Sequence, residues 1–216
     1  MSIVRVADLR QQVYENVRNR IYSGEFATDA TFHEIALAEE LGVSRTPVRE
    51  ALAILARDGL LVQERRGFRF PQLNAADIRH VTDVRLRLEP YALGQIVVDH
   101  SMTELVRLAN FIRREINTHR DSDSYIAAHS RMREEILAHI ENPFLADIIR
   151  HFDHFAHVVR NATLREQRWR DKSAEGNLRK ADAFEAGDQE QVRDVLFNLI
   201  KLSASSYMEL LKSQEH

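Results

Sequence analysis

The sequence predicts a mainly α-helical chain of two domains, and three observations carry that expectation. Apolar residues recur with a helical period through nearly all of the 216 residues. With only seven Gly and four Pro, the chain has little material for the tight turns of a sandwich or barrel. One short segment, around residues 60–70, has the alternation and turn residues of paired strands. A hydrophobic content of 44% is too high for disorder and enough for one large or two small cores.

The first helix is expected from Val6 to Tyr22, where Val6, Leu9, Val13, Val17 and Ile21 share a face and Gly24 follows as a stop. Residues 25–32 read as a connector. A second helical pattern spans Glu34–Leu41 and breaks at Gly42-Val43-Ser44. A third runs from about Arg45 to Asp58, burying Val48, Ala51, Leu52 and Leu55, with Ser44 as N-cap and Pro47 in the first turn, where its missing N–H is harmless. After Gly59, Leu60-Leu61-Val62 and Phe68-Arg69-Phe70 read as two short strands around the charged turn Glu64-Arg65-Arg66-Gly67. Pro71 closes this unit. The expected division is therefore a first domain over 1–72, a linker over 73–76 and an all-helical second domain over 77–216. Within the second part the spacing predicts helices near 75–99, 102–119, 123–141, 143–161, 164–187 and 189–212.

Two helices joined by a tight glycine turn, the second opening Ser44-Arg45-Thr46-Pro47-Val48-Arg49, form a helix-turn-helix, whose second helix can enter the major groove of DNA. The Ser44 and Thr46 hydroxyls with the helix N-terminus can take a phosphate, and Arg45 and Arg49 project one turn apart. Such an arginine can fork onto guanine O6 and N7. Arg65, Arg66 and Arg69 surround Gly67 at the hairpin, making a basic wing in which the glycine allows close approach to the duplex. Arginines and acids balance within residues 1–72, so DNA affinity requires clustering, and five of these arginines fall on the two expected contact elements. Overall the charge is -3 and only four of 30 basic residues are lysines. A recognition helix reads few base pairs, so a homodimer on a palindromic double-stranded operator is expected.

The run GVSRTPVREALAILARDGLL followed by RRGFRF resembles the winged helix-turn-helix of the GntR family of bacterial transcription regulators. VRLRLEPYAL, the Asn142-Pro143-Phe144-Leu145 corner and the Ala186-Gly187-Asp188 turn are similar to the FCD effector domain of its FadR subfamily. The resemblance implies that Arg45, Thr46 and Arg49 contact bases or phosphates, that Gly67 approaches the minor groove, and that the helical domain binds a small organic acid that alters operator affinity, more often as a repressor. In many relatives that interior holds a divalent metal on an Asp, a His four residues on and two later histidines. The matching positions here are His129, Arg133, Asn177 and Leu199, of which only His129 could ligate, so no cofactor is expected.

From the residues themselves, Arg85 falls on the apolar stripe Ile78, Val81, Leu88, Ala92; His129 and Arg133 share a face with Tyr125, Met132, Ile136 and Ile140; Asn177 lines up with Ala181 and Phe184. Unpaired burial of such groups costs roughly 1–3 kcal/mol or more. Arg85, His129, Arg133 and Asn177 therefore form either a cavity for a carboxylate or a network satisfied internally, for instance through Glu89, Glu134 or Glu135. His154 and His157 are expected outward and His151 at the margin, given a stripe of Leu145, Ile148, Phe152, Phe155 and Val159; Trp169 and Phe184 are expected in the core. No enzyme is expected, because Gly-rich phosphate loops, G-x-S-x-G and H-E-x-x-H are absent and the inward set has no evident carboxylate; a metal-dependent regulator, or an enzyme using the cavity, stands as the alternative. The lack of cysteine excludes disulfides and thiol chemistry and fits a cytoplasmic setting. Apolar runs fall far short of the ~20 residues that span a bilayer, and the opening MSIVRVADLRQQ turns polar too early for a signal peptide.

Overall fold

The computed structural model describes residues 6–27, 29–117 and 121–214. The opening five residues, and the expected end of the 102–119 helix, lie outside the described residues. Two compact units, 1–72 and 73–216, divide the chain.

In the first unit α1 (Val6–Tyr22), α2 (Glu34–Leu41) and α3 (Arg45–Arg57) bury one core, in which Val17, Ile21, Val48, Ala51, Leu52 and Leu55 are fully enclosed. Each follows the expected periodicity. Gly42 ends α2 in the left-handed conformation at φ 65°, its N–H reaching back to helix carbonyls, which gives the tight turn into α3. Ser44 occupies the N-cap position of α3, but its hydroxyl makes no capping hydrogen bond.

The expected two-stranded wing is a three-stranded sheet. Strand β1 (Thr31–Phe32) falls in what read as a connector, and it pairs antiparallel with β3 (Gly67–Arg69), which pairs in turn with β2 (Val62–Glu64). Two residues are too few for period-2 alternation to register, so β1 had no sequence signal. The tight spot is Gly67: at φ 126°, a Cβ there would lie 2.5 Å from the Phe32 carbonyl oxygen. Glycine is thus required by strand packing inside this unit.

Six helices form the second unit: α4 (Ala75–Asp99), α5 (Met102–Asn117), α6 (Ser122–Ala138), α7 (Pro143–Thr163), α8 (Gln167–Ala186) and α9 (Gln189–Gln214). Leu73 is buried with this unit's Ile78, Val158, Val159 and Tyr207, and Asn74 caps α4 through a capping box with Asp77, so residues expected as linker open the bundle. Asn142 caps α7 with Pro143 in its first turn, and Gly187 at φ 63° ends α8. The main core draws Leu93, Ile112, Ile126, Met132, Phe184 and Val192 from α4, α5, α6, α8 and α9. Among the described residues, no helix is long and apolar enough to cross a membrane.

Helix α7 departs from its expected face. Ile148 is exposed, whereas Ala146, Ile149, Asp153, His157 and Arg160 are buried, and so is His154. The histidines expected outward are therefore inside. Ranking faces by apolar bulk rotated the helix by about one residue, because its true inner face carries charges that neutralise one another.

Candidate nucleic-acid interface and interior ligand site

Ser44, Arg45, Thr46 and Arg49 are all exposed at the start of α3, while Pro47 and Val48 point into the core and fix the helix in place. Arg45 is 64% exposed and meets Glu34 at 3.4 Å, a loose surface pair worth little. At the hairpin Arg65 and Arg66 are exposed in the two-residue turn between β2 and β3. Arg69 is only part-exposed: its guanidinium is held by Glu64 and reaches the Phe70 carbonyl. The hairpin therefore offers two arginines at its tip and keeps the third for its own geometry.

Inside the bundle, Arg85, His129, Arg133 and Asn177 all line one cavity of about 70 Å³, and Leu199 lines it too. Buried around them is an alternating chain of charges. Arg85 Nε donates to Glu89 at 2.6 Å; the other Glu89 oxygen faces Arg133 at 2.9 Å; Arg133 Nε donates to Asp153 at 2.9 Å. Arg160 closes the chain with two bonds to Asp153, at 3.0 and 3.2 Å. Burial alone would push both carboxyls up; Arg133 and Arg85 reverse this at Glu89, and Arg160 with Arg133 at Asp153, so Glu89 is held below and Asp153 well below its usual range. Cavity and internal network, alternatives on sequence grounds, coexist.

A second polar row lies on α8. Lys180 Nζ donates to Asn177 Oδ1 at 2.7 Å, Asn177 Nδ2 donates to the Ser173 carbonyl at 2.8 Å, and the Tyr125 hydroxyl meets Ser173 Oγ at 3.1 Å. Lys180 is 4% exposed, and burial followed by the nearby Arg133 lowers its pKa to about 7. Burial, with Arg160, Lys180 and Arg133 alongside, holds His129 well below its usual value, hence neutral.

The lining is rich in unspent donors. The Arg160 Nε and Trp169 Nε1 hydrogens have no acceptor, His129 Nδ1 has no partner, and the buried oxygens of Glu89 and Asp153 are taken by guanidiniums. Such a wall suits an anion. It does not suit a divalent metal: of the positions matching the family's ligands, only His129 is a ligand type, and Arg133, Arg160 and Lys180 would repel a cation there. Among the described residues no other group of three or more His, Asp or Glu is placed to hold one. Glu89 is the partner that the sequence offered for Arg85 and Arg133, whereas Glu134 and Glu135 are not part of the chain of charges; Asp153, Arg160 and Lys180 had no place in the sequence reading, and of these only Lys180, three residues from Asn177 on the same face, carried a usable signal.

A helix-turn-helix with a basic hairpin, joined to a helical bundle around a polar cavity, defines a DNA-binding transcription regulator. The chain belongs to the GntR family: residues 9–70 match the model of bacterial regulatory proteins of the gntR family, and residues 80–202 match that of the FCD domain. It is 28% identical over 154 residues to the HTH-type transcriptional regulator YdhC of Bacillus subtilis, covering 69% of this chain and 68% of that one. To the gluconate operon transcriptional repressor of Bacillus licheniformis it is 32% identical over 132 residues, which is 60% of this chain and 54% of the repressor. Escherichia coli McbR/YncC has the same fold, with a TM-score of 0.75 at 22% identity over 96% of this chain and 99% of that one. The family and these relatives are regulators, not enzymes.

Proposed function

We propose that the protein is a transcriptional repressor that binds a palindromic operator as a homodimer and changes its operator affinity when a small carboxylate enters the bundle cavity. Ser44, Arg45, Thr46 and Arg49 read and position on the DNA, Arg65 and Arg66 grip its backbone, and Gly67 and Arg69 shape the hairpin that carries them. The name of the Bacillus licheniformis relative supports repression. The observation that carries the effector half is the polar cavity lined by Arg85, His129, Arg133 and Asn177, two of whose lining residues, Arg160 and Trp169, each keep a buried N–H without an acceptor. A carboxylate there exerts control only by binding the DNA-competent and DNA-incompetent arrangements unequally.

The test begins with operator fragments captured from genomic DNA by the full-length protein, followed by titration of small carboxylates into the complex. One or more should shift operator affinity at least fivefold. His129→Leu and Asn177→Ala should keep operator binding and lose that shift. A panel of carboxylates that leaves affinity unchanged refutes effector control.

A further inference from the structure

Four cationic side chains face the cavity, and three of them have carboxylate partners. Arg85, Arg133 and Arg160 share Glu89 and Asp153. Among the described residues Lys180 meets no carboxylate; its ammonium donates to Asn177 Oδ1. The charged and titratable groups facing it are Arg85 and Glu89 from α4, Arg133 and neutral His129 from α6, and Arg160 from α7. Helix α9 offers only aliphatic side chains and serines. Helix α5 packs on α8 through Arg113, which pairs with Asp182 and Glu185 at the exposed edge.

With Lys180 protonated, the enclosed set of four cations and two carboxylates carries two surplus positive charges. Burial and the neighbouring guanidiniums relieve part of that surplus by lowering the Lys180 pKa to about 7. An incoming carboxylate offsets one of the two surplus charges, so its arrival favours the ammonium form. Size and walls narrow its chemistry. The cavity is small, at about 70 Å³. Met132, Leu164, Leu196 and Ile200 line it with aliphatic surface, which suits an apolar tail, and each of the three guanidiniums already has a carboxylate partner, so Lys180 is the one cation left for an incoming carboxylate.

We propose, resting on the effector reading above, that the occupant is a short aliphatic monocarboxylate that takes Lys180 as its counter-ion and binds together with one proton delivered from solvent to the Lys180 amine.

Calorimetric titration of the full-length protein with butanoate and pentanoate, against butanedioate, pentanedioate and inorganic phosphate, in two buffers of different ionisation enthalpy, tests this. The monocarboxylates should bind best. Proton uptake should rise from near zero at about pH 6 to near one at about pH 8, and affinity should be flat below neutrality and weaken about tenfold per pH unit above it. Lys180→Arg keeps a charge that cannot be released and should bind without proton uptake; Lys180→Met should bind at least tenfold more weakly. Tighter binding of diacids or phosphate, wild-type binding without proton uptake, or uptake that survives in both variants overturns the proposal while leaving effector control standing. No binding of any anion to the folded wild-type protein overturns both.

Discussion

Arg49 and Arg66 are both exposed arginines, yet they stand on different supports and should fail differently. Arg49 projects from the first turns of α3, fixed by buried Pro47 and Val48, while Arg66 sits in a two-residue turn. Replacing Arg49 with alanine should cost about 1–3 kcal/mol on the operator and little on scrambled DNA. Arg66→Ala should weaken both about equally and reduce the salt slope by about one. Fluorescence anisotropy on the two duplexes over a salt series separates these; equal losses from Arg49→Ala would reverse the assignment. These arginines were legible in the sequence because their places are set by offsets from a capped helix start and a glycine turn. Glu89 was legible as a partner because it stands one turn from Arg85 on the same helix, but Asp153 was not, since apolar patterning treats a carboxylate as solvent-facing and only the meeting of α6 and α7 sets Arg133 against it.

Among the elements, the small sheet depends most on one position. Gly67 combines a φ of 126° with a hypothetical Cβ 2.5 Å from the Phe32 oxygen, so Gly67→Ala requires both backbone strain and a displaced β1. It should destabilise the winged unit by about 1–3 kcal/mol and lower DNA affinity, with the bundle's melting unchanged. Differential scanning calorimetry with a DNA-binding assay checks this; undiminished stability would mean that β1 pairing contributes nothing. Helices α1 and α3 were readable because each buries one continuous apolar stripe. Helix α7 was readable as a helix but not in its orientation, since its inner face alternates Ala146, Ile149, Asp153, His157 and Arg160.

Over the whole molecule, chemistry is divided between the units. Among the described residues every buried polar or charged side chain belongs to the second unit, and the first is closed by apolar residues alone. Glu89 and Asp153, both with lowered folded pKa values, contribute stability that is complete above about pH 5 and lost as pH falls through the usual carboxylate range near 4 toward their folded values. Leaving a guanidinium of this network unpaired costs about 3–5 kcal/mol. On acidification the bundle should therefore lose hydrogen-exchange protection before the winged unit does, and added salt should change this little because the pairs are shielded from solvent. Simultaneous loss in both units, or first loss in the winged unit, would show that the network is not what acid attacks. The proposed DNA encounter would follow a parallel division: the chain is net negative, so attraction would have to come from the four exposed arginines at the α3 start and hairpin tip.

The composition holds a single tryptophan, Trp169, and its indole forms part of the cavity wall. Arg168 and Lys172 lie over its ring at 4.7 and 4.9 Å, and its N–H is buried without an acceptor. All of the protein's tryptophan light is thus emitted from one interior surface. Any molecule that fills the space changes the polarity around that fluorophore, which gives the unlabelled chain a built-in optical gauge of its own occupancy.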